Sequence, residues 1–195
     1  MGAGVPGPRP TKRNAPHGEA AVRRALVAAG ADLFAARGPS QVSVREVAER
    51  AGVNHGLVHH YFGSKDGLVA AVLEHLAAAA TAEVVASQSP ATLYASDGPS
   101  ARHGRIVAHL ILEGRDPAGF KTSFPSMDAL VTRFRAAGLT PRAARERAAQ
   151  VLAVVLGWQL FEPFLVAAAG LDPSDRVRRR MIDDAIRRVA GVTPD

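Results

Sequence analysis

Three histidines lie within six residues of this chain, and their spacing is compatible with three kinds of chemistry. His55 and His59 are four residues apart, so on a helix they would share one face, as two zinc ligands often do. Clustered imidazoles, here including His60, could also serve in acid–base catalysis. Polar side chains on one helix face could instead contact base edges and phosphates in the major groove of DNA.

The surrounding residues do not favour metal binding or catalysis. The glutamate of an H-E-x-x-H motif is absent after His55, and no nearby acid or cysteine offers a third ligand. Ser64 does not lie in a G-x-S-x-G motif. We therefore predict no metal, no cofactor and no enzymatic activity. A helical metal-binding protein or enzyme that uses His55, His59 and His60 is the alternative function, and a merely solvated histidine surface is a third possibility.

The elements that flank the histidines predict a helix-turn-helix. Ser43 and Glu46 form a capping box that begins a short helix, and Gly52 ends it. Asn54 is placed to cap a second short helix that would run to about Phe62. Two short helices joined by a tight glycine turn can cross closely when small and branched apolar residues lock them together. The predicted locking residues are Val47, Ala48, Val53 and Val58.

In a helix-turn-helix that binds DNA, the second helix enters the major groove while the first crosses the DNA backbone. The histidines therefore lie where base edges and phosphates are contacted, and Gly56 would let the helix backbone approach DNA closely. Lys65 could meet a phosphate. The predicted DNA-contacting residues are Ser43, Val44, Arg45, Asn54, His55, Gly56, Leu57, His59, His60, Tyr61 and Lys65.

The stretch SVREVAERAGVNHGLVHHYFGSKDGL, which begins at Ser43, resembles the DNA-binding domain of the TetR family, whose pattern is roughly TxxxIAxxAGVSxGxxYxHFxxKexL. The preceding ALVAAGADLFAARG is similar to the first helix of that family, and the resemblance covers about residues 20–70. Three positions depart from the pattern. Asn54 replaces the usual Ser, His59 stands where Tyr is frequent, and Tyr61 stands where His is frequent.

Composition and charge agree with a DNA-binding, cytoplasmic protein. The chain has 195 residues and no cysteine, which excludes disulfides, thiolate zinc sites and cysteine nucleophiles. Its net charge is +6, and residues 1–65 carry nine Lys and Arg against four Asp and Glu. The sequence suggests neither a signal peptide nor a membrane span. Excess positive charge in the first third suggests an acidic partner such as double-stranded DNA.

Helical periodicity and capping signals predict an all-α protein of about nine helices. Residues 1–18 form a predicted disordered basic arm, in which Arg9, Lys12 and Arg13 could reach DNA. Residues 19–65 form the predicted helix-turn-helix domain. Residues 66–195 form a predicted helical body for effector binding and dimerisation, with helix starts at Thr140-Pro141 and Asp172-Pro173.

The resemblance implies a homodimer in which the last two long helices form a four-helix bundle with their mates. Apolar residues at three- and four-residue steps in these helices agree with burial on more than one face, although a wholly intramolecular core would show the same pattern. The predicted dimerisation residues are Ala148, Val151, Val155, Leu156, Met181, Ile182, Ala185 and Val189.

The resemblance also implies that the body senses a small molecule, which we expect to be apolar or aromatic and to bind near Trp158 and His109. Aromatic residues at helical spacing could equally be ordinary core. Pro163 is predicted to kink the helix that holds Trp158. The predicted ligand-lining residues are His109, Phe120, Phe124, Met127, Phe134, Trp158, Gln159, Phe161 and Glu162. The whole predicts a transcriptional repressor released from a palindromic operator by its ligand.

Overall fold

A computed structural model describes residues 18–86, 98–120, 124–171 and 175–191 of the chain. These residues form eight α-helices and one short 3-10 turn, and they contain no strand. The elements are α1 (Glu19–Arg37), α2 (Val44–Ala51), α3 (Gly56–Phe62), α4 (Lys65–Ala86), α5 (Pro99–Leu112), the 3-10 turn (Pro117–Phe120), α6 (Pro125–Ala136), α7 (Pro141–Ala168) and α8 (Asp175–Ala190). The predicted all-α class is confirmed, with eight α-helices among the described residues where about nine helices were predicted.

The helix ends form where the sequence places polar caps. The Ser64 hydroxyl accepts a hydrogen bond from the Gly67 amide at 3.0 Å, and the Thr140 hydroxyl accepts one from the Ala143 amide at 3.3 Å. α7 continues through Pro163 to Ala168. The predicted cap at Asp172-Pro173 and the predicted basic arm lie outside the described residues.

The described helices pack around two apolar cores. The first joins α1–α4 to α5, with Phe34, Leu26, Leu68 and Leu73 among its fully buried side chains. Ile106 and Leu110 of α5 belong to this same core. The boundary that sequence reasoning placed after Lys65 therefore does not coincide with a gap in the packing, because α4 and α5 share the core of the helix-turn-helix.

The second core forms between α6, α7 and α8. Its buried residues are Leu130, Phe134, Ala144, Ala148, Val151, Val155 and Ile186. α5 connects the two cores, because it packs on α1 and α4 on one side and on α7 on the other. The body is consequently joined to the helix-turn-helix mainly through α4 and α5.

Candidate DNA-binding surface

The first helix of the helix-turn-helix is held by a reciprocal capping box. The Ser43 hydroxyl accepts from the Glu46 amide at 3.2 Å, and the Ser43 amide donates to Glu46 Oε2 at 2.7 Å. Arg37 adds an ion pair to the other carboxylate oxygen at 2.7 Å. The bond from the Ser43 amide, followed by those from Arg37 and the Ser43 hydroxyl, lowers the pKa of Glu46 from 4.5 to about 2.

A Ser43→Ala substitution should lower the free energy of unfolding by about 1 kcal/mol, because an N-cap hydroxyl is lost. For a chain of this size that is a fall in Tm of roughly 2–4 °C, measurable by circular dichroism.

Since the pKa of Glu46 is lowered on folding, its stabilising effect is present above pH 4.5 and is lost as the pH falls towards 2.

A Glu46→Gln variant should therefore differ from the parent near neutral pH and converge with it in acid. Glu49→Gln on the same helix is the matched control, because Glu49 is 62% exposed and pairs with Arg45 in solvent. A pH-independent difference for Glu46→Gln would contradict the assignment of the capping box.

The turn between α2 and α3 takes the form that a helix-turn-helix requires. Gly52 adopts φ 70°, a left-handed conformation that side chains other than glycine rarely accept. The Val53 amide donates to the Ala48 carbonyl at 3.0 Å, which closes the turn. Val47, Ala48 and Val58 are almost completely buried, as predicted for the locking residues, so the crossing of the two helices is fixed by packing.

The structure exposes most of the predicted DNA-contacting residues on one local segment. Ser43, Arg45, Asn54, His55, Gly56, His59 and His60 are exposed. The Asn54 side chain accepts a hydrogen bond from the Gly56 amide at 2.8 Å, and this bond caps the start of α3. His55 occupies the N-cap position but makes no capping bond with its side chain. A side chain added at Gly56 would meet only Asn54 Oδ1 within 4 Å, which leaves the backbone accessible.

Four predicted DNA-contacting residues are only partly exposed to solvent. Val44, Leu57 and Tyr61 are half-buried and pack against the first core, so they support α2 and α3 from behind as well as bordering the surface. Lys65 is half-buried at the start of α4. His60 and Tyr61 pack edge to face with ring centres 4.8 Å apart, and His59 Nδ1 lies 3.3 Å from the Gly63 carbonyl. These contacts orient the last turn of α3.

Sequence reasoning missed a set of ion pairs and hydrogen bonds between α5 and the helix-turn-helix. Asp32 of α1 pairs with Arg50 of α2 at 3.2 Å and with Arg102 of α5 at 2.8 Å. The Ser40 hydroxyl donates to Glu113 at 2.5 Å, and this link also crosses from the α1–α2 connection to the end of α5. The partners are up to 73 residues apart in sequence, so no local pattern could indicate them.

A second group of these contacts joins α4 and α5 near the end of α3. Arg115, just after α5, pairs with Asp66 of α4 at 2.8 Å and stacks over the Phe120 ring at 4.6 Å. His109 lies directly against the turn at Gly38, where an added Cβ would approach its ring to 2.8 Å. His109 therefore lies against the end of α1.

The predicted ligand-lining residues lie in several environments in the structure. Met127, Phe134 and Trp158 belong to the second core or pack against it, whereas Phe120 packs against the first. Phe124 and Phe161 are exposed on the single chain. Gln159 donates to the Ser100 hydroxyl at 3.3 Å, and Glu162 is half-buried.

The predicted dimerisation residues also divide into two groups. Ala148, Val151 and Val155 are 0–1% exposed within the single chain, so they belong to its own core and cannot gain burial from a partner. Leu156, Met181, Ala185 and Val189 are half-buried. The side chain of Ile182 lies outside what the structure describes.

Another face of α7 leaves large apolar side chains in solvent. Leu160, Phe161, Phe164 and Leu165 are 36–68% exposed. Among the described residues α7 is also the one helix long and apolar enough to cross a membrane by length and composition, although sequence analysis predicted none. Its opposite face packs on α6 and α8, and Glu162 interrupts the apolar stretch.

The structure gives no support to the alternative of a histidine metal site. Within residues 18–86, 98–120, 124–171 and 175–191, no three His, Asp or Glu side chains are grouped to hold an ion. His55, His59 and His60 point instead into solvent from a short helix. The arrangement can present polar and ionisable groups to a partner with a groove.

Comparison with known proteins agrees with this geometry. The profile described as "Bacterial regulatory proteins, tetR family" matches residues 26–72, which span the end of α1 through the first part of α4. The HTH-type transcriptional repressor Rv3405c of Mycobacterium tuberculosis is 37% identical over 183 residues, which are 93% of this chain and 96% of that protein. The regulator BetI of Brucella anthropi is 44% identical, but over only 54 residues, 28% of each chain.

Solved structures extend the likeness to the helical body. A transcriptional regulator from Rhodococcus sp. Rha1 is 27% identical and superposes with a TM-score of 0.62 over 88% of this chain and 99% of its own. A TetR-family regulator from Streptomyces coelicolor, at 21% identity and a TM-score of 0.63, shares the fold over 90% of this chain and 82% of its own. Helix-turn-helix geometry, full-length similarity and fold agree: the chain belongs to the TetR family and is a DNA-binding transcriptional regulator.

Proposed function

We propose that this protein is a cytoplasmic repressor that binds a palindromic operator as a homodimer and is released by a small apolar or aromatic ligand. The observation that carries the proposal is the exposed polar face of α3, held by a closed helix-turn-helix. Similarity along nearly the full chain to a protein named as a repressor supports the direction of regulation. The proposal includes no enzymatic activity.

In this proposal α3 lies in the major groove, with His55, Gly56 and His59 nearest the bases. α2 crosses the DNA backbone, and Ser43 and Arg45 face the phosphates. Arg45 pairs with Glu49 at 2.9 Å, but both side chains are mostly in solvent, so the pair is weak and its guanidinium can turn to a phosphate. Charge-assisted contacts with phosphates fix the position of the protein along the duplex, while contacts from α3 to the bases select the DNA sequence.

The three histidines should contribute to operator affinity through direct contacts. Each exposed imidazole can donate or accept a hydrogen bond at a base edge or a phosphate when α3 lies in the groove. We expect a variant with alanine at His55, His59 and His60 to bind the operator at least about tenfold more weakly, equivalent to about 1.4 kcal/mol. Fluorescence anisotropy of a labelled operator duplex at constant salt would measure it.

The exposed His75 of α4 lies outside α2 and α3, so His75→Ala is the matched control and should bind the operator like the parent. Equal operator affinity in the triple variant and the parent would exclude these imidazoles as DNA contacts.

Dimerisation is proposed to use the exposed apolar face of α7 together with α8. Leu160, Phe161, Phe164 and Leu165 expose a continuous aromatic and aliphatic surface that a second copy would cover. A two-fold dimer would then place the two α3 helices about one turn of DNA apart, or a multiple of it, roughly 34–36 Å.

The signal from the body is proposed to pass through α5 to the helix-turn-helix. α5 packs on α7 at Gly104, where an added Cβ would lie 2.8 Å from Leu156, and it is tied to α1 and α2 through Asp32, Arg102 and Glu113. α5 and α7 are so close at Gly104 that the two helices should move together. A ligand near Trp158 that moves α7 would therefore also move α5. Movement of α5 would then pull on Asp32 and Ser40 and change the separation of the recognition helices, a coupling of about 1–3 kcal/mol.

Selection of binding sites from random duplex DNA by the purified protein tests the function. We expect one enriched palindrome, which then provides the probe for a ligand screen followed by Trp158 fluorescence. Salt-sensitive binding without an enriched sequence would reject a sequence-specific repressor. Equal operator affinity with and without a saturating ligand would reject ligand release.

A further inference from the structure

A cavity of about 370 Å³ lies where the helix-turn-helix meets the body, away from Trp158. It is lined by Arg23 of α1, Tyr61 and Phe62 of α3, a face of α4, Phe120 of the 3-10 turn and Pro125 of α6. We propose that this cavity binds a small aromatic zwitterion, a molecule with one ring system, one ammonium and one carboxylate, in contact with the end of the recognition helix.

The shape of the cavity follows from the residues on α4. Gly67, Ala70, Ala71 and Ala77 line it, and the small side chains of the three alanines leave space that a leucine or phenylalanine would fill. Tyr61, Phe62 and Phe120 provide aromatic walls from two other elements. The volume is at the lower end of the range for small-molecule sites, roughly 300–1,000 Å³, which suits one or two fused rings.

The charges around the cavity indicate a ligand that is neutral overall but carries both signs. Arg23 and Glu74 both line it, and neither has an ion-pair partner among the residues the structure describes. Arg23 lies over the Phe62 ring at 5.3 Å, so an aromatic ring and a cation already share this wall. A ligand carboxylate can pair with Arg23, and a ligand ammonium can pair with Glu74.

The position of the cavity connects it to DNA recognition. Tyr61 and Phe62 are the last residues of α3, and Tyr61 also packs on the exposed His60. A ligand held against them would favour one orientation of the last turn of α3, and its binding would be linked reciprocally to operator binding. This consequence rests on the proposed function, whereas the binding itself does not.

Isothermal titration calorimetry on the full chain without DNA tests the site. The probes are L-phenylalanine, 3-phenylpropionate, which lacks the ammonium, and phenethylamine, which lacks the carboxylate. We expect L-phenylalanine to bind about tenfold more tightly than either analogue, because each analogue leaves one charged side chain without its partner. Glu74→Gln should remove the advantage over 3-phenylpropionate, and Arg23→Gln the advantage over phenethylamine.

Both substitutions are at exposed positions, so the variants should fold, and their melting temperatures check this. Asp184→Asn, at an exposed acid of α8, is the control and should bind like the parent. Absence of L-phenylalanine binding, or equal affinity in the parent, Glu74→Gln and Arg23→Gln, would overturn the proposal. Because no operator is used, either result is independent of whether the repressor function is correct.

Discussion

A Gly67→Ala variant should lose operator affinity by about tenfold or more while remaining largely helical. A Cβ at position 67 would overlap the Phe62 carbonyl oxygen. The obstacle is backbone, so the last turn of α3 must move away from α4. Overpacking of this kind costs about 1–3 kcal/mol, and about 1.4 kcal/mol corresponds to tenfold in binding.

Gly119→Ala is the matched control, because nothing lies within 4 Å of an added Cβ there. Anisotropy with the selected operator gives the affinities, and circular dichroism establishes that both variants fold. If Gly67→Ala bound the operator as tightly as Gly119→Ala, the contact between α3 and α4 would not control the recognition helix.

The helix-turn-helix could be predicted in detail because its determinants are close together in sequence. The Ser43–Glu46 capping box, the turn at Gly52 and the lock of Val47, Ala48 and Val58 all lie within residues 43–58. Each residue also has a narrow physical requirement, such as left-handed backbone or a small side chain. Local sequence and tertiary packing therefore agree on the turn between α2 and α3 and on the crossing of these helices.

The body could be predicted as helices but not as a set of contacts. Spacing of three and four residues shows that α7 has apolar faces, but not which face meets α6 and α8 and which stays outside. Val151 and Val155 turned out to be internal, while Phe161 and Phe164 are exposed. Amphipathic periodicity cannot separate these cases when a helix is apolar on more than one side.

The cavity between the helix-turn-helix and the body could not be predicted from sequence for a related reason. Its walls come from α1, α3, α4, the 3-10 turn and α6, and only the fold brings Arg23 and Phe120 to one place. The ion pairs of Asp32 with Arg50 and Arg102 have the same origin. Long-range contacts of α5 thus join the region that reads DNA to the region proposed to sense a ligand.

A Phe164→Glu variant should be monomeric at concentrations where the parent is a dimer, and it should bind the operator at least about a hundredfold more weakly. Phe164 is 68% exposed on the single chain, beside Phe161 and Leu160, so it would be a central contact of the proposed interface. Loss of such an aromatic anchor costs roughly 2–4 kcal/mol, and the unpaired carboxylate adds a desolvation penalty.

The same change outside the interface separates dimerisation from general effects of charge. Leu112 is 85% exposed on α5, so Leu112→Glu replaces an apolar residue that is at least as exposed as Phe164, and the variant should remain dimeric. Sedimentation velocity gives the oligomeric state, and anisotropy gives the operator affinity. Because only a dimer can engage both half-sites, the two losses should occur together in Phe164→Glu. A dimeric Phe164→Glu variant with normal affinity would place the interface on another face and leave the exposed aromatic surface of α7 for a different partner.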